Sequence, residues 1–304
     1  MRAAAIDVGT NSVKSCVGEK DGDGNVRILD EASDNPRLGE GFAETHELQS
    51  EAIDRAVKAI GRQVQLARHF NADLIRVVGT SAARDAVNRD VLIERIRHET
   101  GIDFETASEY DEARLSYLAV ALDPKLGVFG GNQLVVDVGG GSTEFIYGSG
   151  AEMDFTISVR AGAVRLTEKF LKGDRQTICQ LVDAGTMAEH LIRGVARKAG
   201  IERLVGVGGS IINIARVCRG VSPDKTDQVH GIEMSYTEIR GVMNTLLTRS
   251  IAERRDLVGL EPERADIILG GAVIIDRILA LFEMEHMVVC TRGLRHGLLN
   301  EMLS

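Results

Sequence analysis

The sequence predicts an α/β protein made of two halves with the same plan, and three observations support this prediction. Residues 7–18 read DVGTNSVKSCVG and residues 137–148 read DVGGGSTEFIYG, so the two segments share five positions at an offset of 130 residues. At the same offset, LIRVVGT at residues 74–80 corresponds to LVGVGGS at residues 204–210. In both halves, short apolar runs typical of buried strands alternate with segments of helical periodicity.

The predicted elements follow one another in the same order in each half. In the first half we expect strands over 3–8, 13–17 and 74–78, and helices over 49–70 and 90–100. In the second half we expect strands over 134–138, 144–147 and 204–207, and helices over 162–171 and 186–199. The halves meet near Asp123 and Pro124, which predicts an N-terminal lobe of residues 1–123 and a C-terminal lobe of residues 124–304. Residues 265–282 predict a buried helix, and residues from about 293 to 303 predict a short amphipathic last helix that packs back on the first lobe.

Composition limits the classes of function. The chain has 304 residues, 44% hydrophobic and 27% charged, which is typical of a soluble protein with two domains. Its net charge of −9 disfavours nucleic acids and anionic membranes as partners. We find no apolar run long enough to span a membrane and no signal peptide before Asp7, so we expect a cytoplasmic protein. The four cysteines lack metal-ligand or redox spacing and are expected to be buried thiols.

The two repeated glycine turns carry the first chemical prediction. A turn rich in glycine, serine and threonine between two strands exposes successive backbone N–H groups, which together bind phosphate oxygens. Asp7 and Asp137 open the two turns, where a carboxylate can hold a hydrated Mg²⁺ against the same phosphate. The alternative is a plain hairpin with a glycine turn. Neither turn has the spacing of a Walker A loop or of a dinucleotide-binding fingerprint.

Two further segments contain candidate site residues. Gly79 follows a predicted strand and opens a helix in which Arg84 can donate two hydrogen bonds to a phosphate, although a solvated arginine explains the pattern too. Ser108 is expected to cap a helix whose apolar stripe is extended by Glu112 at its first turn. A carboxylate on an inward face is a candidate general base, while compensation of the helix dipole is the alternative.

With these residues in view, the chain resembles the exopolyphosphatase and guanosine pentaphosphate phosphohydrolase (Ppx/GppA) family. The resemblance covers nearly the whole chain. It rests on these segments, in order: residues 6–12 (IDVGTNS), 79–88 (GTSAARDAVN), 111–115 (DEARL), 137–144 (DVGGGSTE), 162–168 (GAVRLTE), 206–210 (GVGGS) and 264–266 (RAD).

The resemblance implies a fold and an activity. The fold is that of duplicated actin-like ATPase (ribonuclease H-like) domains, whose two lobes flank a cleft. The activity is hydrolysis of a terminal phosphoanhydride with Mg²⁺ or another divalent cation. The implied catalytic residues are Glu112 and Glu144, and the implied metal ligands are Asp7, Asp137 and Glu144. The implied phosphate- or substrate-binding residues are Gly9, Thr10, Asn11, Ser12, Lys14, Arg84, Gly139, Gly140, Gly141, Ser142, Gly208, Gly209 and Ser210.

Several alternatives stay open at this point. Inorganic polyphosphate is the first expected substrate and a guanosine alarmone such as pppGpp is the second, because only 4% of the residues are aromatic and no base-stacking platform is obvious. A kinase of the same superfold and a non-catalytic alarmone sensor are the other readings. His296 departs from the glutamate common in the family at the last helix, and the six other histidines receive no role. A homodimer is expected from the resemblance alone. Longer family members carry an additional helical module, so this sequence is expected to represent the two-domain core.

Overall fold

The computed structural model describes residues 1–22, 25–126, 129–195 and 200–304. Its strands are β1 Arg2–Val8, β2 Val13–Lys20, β3 Val26–Asp34, β4 Leu74–Gly79, β5 Phe104–Thr106, β6 Asn132–Val138, β7 Thr143–Ser149, β8 Glu152–Val159, β9 Arg203–Val207, β10 Glu233–Ser235 and β11 His286–Val289. Its α-helices are α1 Phe42–Thr45, α2 Ser50–His69, α3 Ser81–Asp85, α4 Arg89–Thr100, α5 Glu109–Ala121, α6 Ala163–Phe170, α7 Ile178–Arg193, α8 Gly209–Arg219, α9 Tyr236–Leu247, α10 Ile251–Arg255, α11 Ile268–Phe282 and α12 Leu294–Leu303.

The chain divides into two compact units. The first unit contains Met1–Ala119 together with Leu294–Ser304, and the second contains Val120–Gly293. The helix α12 therefore belongs to the first unit, although it is the last element of the sequence. The division between the units falls four residues before the boundary that the sequence suggested at residue 124.

The first unit is built on a five-stranded mixed sheet with the order β3-β2-β1-β4-β5. The pairs β1–β2 and β2–β3 are antiparallel, whereas β4 lies parallel to both β1 and β5. Along β1, Ile6 and Val8 belong to the core that also holds the buried face of α2. The alternate residues Ala3 and Ala5 pack with apolar residues of α12, so both faces of this strand are covered.

The second unit is built on a six-stranded mixed sheet with the order β10-β11-β9-β6-β7-β8. The pairs β6–β7 and β7–β8 are antiparallel, and β9 lies parallel to both β6 and β11. Its core includes Val136 and Phe145 of the sheet and the helix α11, in which eleven of fifteen residues are buried. The helix is buried almost all round, as its continuous apolar sequence predicts.

The two sheets share one topology, which confirms the predicted α/β duplication. The order β3-β2-β1-β4-β5 in the first unit corresponds to β8-β7-β6-β9-β11 in the second, with the same strand directions. A register irregularity falls between Val17 and Gly18 in β2 and between Tyr147 and Gly148 in β7, again at an offset of 130 residues. The bulges are therefore part of the repeated unit.

One detail of the predicted repeat is wrong. Asp7 pairs with Val78 in the first sheet, and the equivalent Asp137 pairs with Val207 in the second, so the parallel strand follows an offset of 129 residues. In the sheet, Gly79 thus corresponds to Gly208 and not to Gly209. A deletion of one residue between the strands conserves the sheet but shifts the simple sequence alignment.

Other predictions are corrected in the second unit. The helix predicted over 186–199 begins at Ile178, because Thr177 and Gln180 form a capping box there, and residues 196–199 lie outside the described residues. Cys16 and Cys290 are buried as expected, but Cys179 is exposed at the first turn of α7 and Cys218 is half-buried. Among the described residues, no helix is both long and apolar enough to cross a membrane.

Candidate active site

The first glycine turn joins β1 to β2 and is made of residues 9–12. Val8 pairs with Val13, and the N–H of Gly9 donates to the carbonyl of Ser12 at 2.9 Å, which closes the turn. The side chains of Thr10, Asn11 and Ser12 are buried. The turn is therefore a fixed element of the first unit.

A segment that follows β3 holds this turn in place, and sequence reasoning had given it no role. Asn35 accepts hydrogen bonds through its Oδ1 from Ser12 Oγ at 2.8 Å and from Asn11 Nδ2 at 3.2 Å. The N–H of Gly39 donates to the carbonyl of Thr10 at 2.8 Å, and a Cβ at residue 39 would lie 2.3 Å from Thr10 Cγ2. Glycine is thus required at residue 39 for a close approach to the turn.

The second glycine turn joins β6 to β7 with the same geometry. Val138 pairs with Thr143, and the N–H of Gly139 donates to the carbonyl of Ser142 at 3.0 Å. A different element supports this turn, because the carbonyl of Gly140 accepts from the N–H of Val164 at 3.0 Å at the start of α6. The residue before α6 is Gly162, where a Cβ would lie 2.2 Å from the Gly140 carbonyl oxygen.

The two turns differ in the charge of the strand that leaves them. In the first sheet Asp7 lies directly opposite Lys14, so the acid faces a cation across the pair. In the second sheet Asp137 lies directly opposite Glu144, and Ser158 of β8 donates to Glu144 Oε1 at 3.1 Å. Only 2% of Glu144 is exposed, so the second pair places two acids together in a buried setting.

The opposed acids provide the donor chemistry that a divalent cation would require. Like charges directly opposite each other in a sheet are destabilising, and Mg²⁺ binds through one or two carboxylates while it keeps waters and substrate phosphates. Asp137 and Glu144 fit this requirement. Within the described part of the chain, no group of three or more His, Cys, Asp and Glu side chains forms a complete metal cage. The pair therefore suits a cation that is bound together with an anionic ligand.

Arg84 and Glu112 form a buried ion pair in the first unit. Arg84 Nη1 donates to Glu112 Oε2 at 2.7 Å and to the carbonyl of Ala107 at 3.3 Å. The side chains are 16% and 11% exposed, respectively. The predicted inward position of Glu112 on α5 is thus observed, and its partner is the arginine predicted to bind phosphate. The sequence had suggested both residues separately but not their contact.

Arg84 lies among three carboxylates. Its Nε is 3.3 Å from Asp85 Oδ1, and its Nη2 is 3.8 Å from Glu109 Oε1. Burial acts to lower the pKa of Arg84, but the hydrogen bond and charge of Glu112, with the charges of Asp85 and Glu109, outweigh it and raise that pKa. The guanidinium therefore stays charged at any pH at which the protein is folded.

The helix expected to offer its N-terminus to an anion near Gly79 has only five residues, Ser81–Asp85. The N–H of Thr80 donates to the Val8 carbonyl at 3.1 Å and continues the strand pairing. A Cβ at residue 79 would lie 2.2 Å from Phe104 Cζ, so packing explains this glycine. Of this segment, the residue that contacts the other candidate site residues is Arg84.

The second unit places Gly208, Gly209 and Ser210 at the start of α8. Gly208 has φ of +98°, and a Cβ there would lie 2.9 Å from Asp137 Oδ1, so the glycine packs against the acid that opens the second turn. A Cβ at residue 209 would lie 2.4 Å from Arg264 Nη2, and Arg264 Nε donates to Glu261 at 2.7 Å. The motif residues 208–210 and Arg264 therefore meet beside Asp137.

A model of the Ppx/GppA phosphatase family matches residues 17–304 of this chain. The chain is 30% identical over 288 residues to exopolyphosphatase 2 of Mycobacterium tuberculosis, covering 91% of this chain and 89% of that protein. It is 29% identical over 304 residues to a guanosine-5'-triphosphate,3'-diphosphate pyrophosphatase of Vibrio parahaemolyticus, covering 99% of this chain but only 59% of that longer protein.

A solved structure agrees with these relatives. The crystal structure of the Aquifex aeolicus member of the Ppx/GppA family superposes with a TM-score of 0.83 at 32% sequence identity. The superposition covers 100% of this chain and 97% of that one.

Proposed function

The chain belongs to the Ppx/GppA phosphatase family, and from this we propose that it releases the terminal orthophosphate of inorganic polyphosphate with the help of a divalent cation. The observation that carries the proposal is the contact between Arg84 and Glu112. A buried acid beside a buried cation places a candidate general base next to a candidate phosphate ligand. A helix whose acids only compensate its dipole needs no such buried partner.

The residues divide the work of hydrolysis as follows. The backbone amides of residues 9–12 and 139–142 would bind phosphate oxygens, since both turns are closed and held by neighbouring segments. Lys14, opposite Asp7, supplies positive charge beside the first turn. Glu112 would orient the attacking water and accept its proton, which general-base catalysis requires. Binding of one substrate by both turns stays a prediction.

Asp137 and Glu144 would hold the divalent cation, which supplies charge neutralisation of the phosphate when it is bound. The geometry favours this pair over Asp7, because Asp7 faces Lys14. Metal binding by Asp7, a second catalytic role of Glu144 and the formation of a homodimer stay predictions of the family resemblance.

Hydrolysis of pppGpp is the second candidate. It is favoured by the relatives named as guanosine-5'-triphosphate,3'-diphosphate pyrophosphatases, one of which aligns with 99% of this chain. The chain contains no tryptophan, eight phenylalanines and four tyrosines, which offers few side chains for stacking on a guanine base. We therefore place inorganic polyphosphate first. A non-catalytic alarmone-binding regulator remains the alternative of another class.

Orthophosphate release from polyphosphate and from pppGpp, each measured with and without Mg²⁺, tests these proposals. We expect Mg²⁺-dependent release that is faster from polyphosphate. Faster release from pppGpp would exchange the two substrates. Binding of either compound without release by the wild-type protein, under conditions in which it is folded, would favour the regulator.

A further inference from the structure

We propose that Arg84 restrains Glu112 in the free protein and releases it when a phosphate takes the guanidinium, so that substrate binding activates the base. The inference rests on the proposed function and adds a positioning role to Arg84. It gives the protein a means to keep its base inactive towards water when no substrate is present.

The geometry supports the restraint. Arg84 Nη1 and Glu112 Oε2 are 2.7 Å apart, which is the distance of a strong charge-assisted hydrogen bond. Both side chains are largely buried, so water screens the pair only weakly. A carboxylate that donates its lone pairs to a guanidinium is a poorer proton acceptor than one that faces water or a phosphate. In this arrangement Glu112 is held in position but is not ready to accept a proton.

The surroundings of Arg84 support the release. The guanidinium faces Asp85 from α3, Glu109 and Glu112 from α5, and the Ala107 carbonyl from the segment before α5. Arg89 of α4 contacts only the backbone carbonyl of Arg84, at 3.3 Å. Arg84 can therefore turn towards a phosphate while Asp85 and Ala107 still hold it near α5. A phosphate offers two oxygens to one guanidinium, which competes well with the single oxygen of Glu112.

Loss of the cation would change Glu112 in the required direction. When Arg84 pairs with a phosphate, Glu112 loses its counter-charge and gains a negative neighbour, and both changes favour its protonated form. Its ability to accept a proton therefore increases at the moment when substrate is present. The asymmetry in the two carboxylates near Arg84 is consistent with this role, because Glu109 is half-exposed and lies 3.8 Å away.

The test follows the protonation of Glu112 directly. Protein labelled with ¹³C at the glutamate δ-carbons is titrated by NMR, and the Glu112 signal is the one that disappears in Glu112→Gln. Methylenediphosphonate, a P–C–P compound that cannot be hydrolysed, serves as the ligand. Without ligand, we expect Glu112 to titrate at lower pH in the wild type than in Arg84→Ala. With saturating ligand, we expect the wild-type midpoint to move to higher pH, and to move further than in Arg84→Ala.

Several outcomes decide the matter. Equal Glu112 midpoints in the free wild type and Arg84→Ala, or a wild-type midpoint that ligand leaves unchanged, would overturn the inference. Arg84→Lys, which keeps the charge but loses the planar fork, replaces Arg84→Ala if the latter does not fold or cannot be saturated with ligand as judged by ³¹P NMR. Asp111→Asn, a charge change on α5 away from Arg84, should leave the Glu112 titration unchanged. Because this readout needs no turnover, absence of phosphate release would count against the proposed function alone.

Discussion

Asp137 and Glu144 lie directly opposite each other across the antiparallel strands β6 and β7. At the same place in the first sheet, the residue opposite the aspartate is a lysine. One duplicated unit thus provides its own cation, whereas the other collects two acids on adjacent strands. This difference leads to the first prediction.

We expect Glu144→Gln to abolish the effect of Mg²⁺ on the protein. Without metal, the substitution should raise the melting temperature, because it removes one of two opposed negative charges. With phosphate present, Mg²⁺ should raise the melting temperature of the wild type but not of the variant. Lys14→Gln, at the equivalent place in the first sheet, is the matched control and should keep the response to Mg²⁺. A full Mg²⁺ response in Glu144→Gln would remove this residue from the metal site.

Glu112→Gln should separate a catalytic from a structural role. We expect the turnover number to fall by about 10²–10⁴-fold, the usual effect of losing a general base. Stability should fall only modestly, because the glutamine oxygen can still accept from Arg84 and Asp85 remains beside the guanidinium. Phosphate release and thermal unfolding measure the two effects, with Asp111→Asn as the control on the same helix. Turnover within a few-fold of the wild type would move the base elsewhere, and Glu144 would be the next candidate.

Gly162→Ala tests whether α6 must lie close against the second turn. A Cβ at residue 162 would lie 2.2 Å from the Gly140 carbonyl oxygen, so the backbone has to move. We expect a loss of about 1–3 kcal/mol in the free energy of unfolding, as for other overpacked sites. Urea denaturation measures it.

Gly185→Ala is the control for that substitution. Residue 185 lies within α7, and a Cβ there would have no neighbour within 4 Å among the described residues. The substitution should stabilise the protein by up to about 1 kcal/mol through helix propensity. If the two variants changed stability equally, the close packing on the second turn would have no energetic importance.

Glu31→Gln should weaken the attachment of α12 in a pH-dependent way. Glu31 accepts from His296 Nε2 at 2.8 Å and from Arg295 Nη2 at 2.7 Å. Burial acts to raise the pKa of Glu31, but the hydrogen bond from His296 and the charge of Arg295 outweigh it, so this pKa lies well below its model value of 4.5.

A carboxyl whose pKa is lower in the folded state stabilises the fold above its unfolded pKa and loses that contribution as pH falls. The wild type should therefore be more stable than Glu31→Gln at pH 7, and the difference should shrink as the pH is lowered below about 4. Urea denaturation at a series of pH values measures the difference. Asp30→Asn, on the same strand, controls for the loss of one negative charge. A difference that is independent of pH would show that the ion pair does not contribute.

The duplicated actin-like fold could be predicted from sequence because its repeat is local. Each half contains a strand, a four-residue glycine turn and a second strand within about a dozen residues, and glycine is conserved between the halves where the turn requires it. The shift to an offset of 129 could not be predicted, because only strand pairing reveals which residues lie side by side.

The candidate site was predictable as a set of residues but not as a set of contacts. Arg84 and Glu112 were each suggested by their place at the start of a helix, yet their ion pair joins residues 28 positions apart. Asn35 carries no local signal, because an asparagine after a strand is typical of any turn. His230 was given no role, although it is buried and its Nε2 donates to Asp123 at 3.0 Å while its Nδ1 accepts from the N–H of Thr291.

The place of α12 has a consequence for synthesis on the ribosome. Its residues Leu294, Leu298 and Leu299 cover Ala3 and Ala5 of the first strand, and a Cβ at Gly297 would lie 2.0 Å from the Leu115 carbonyl oxygen, so this helix fits closely into the first unit. Nearly the whole second unit is translated before α12 emerges. Until then the face of β1 that includes Ala3 and Ala5 has no cover from this helix, and such exposed apolar surface favours aggregation and chaperone binding. The second unit is continuous in sequence, so it can complete its core before the first unit does.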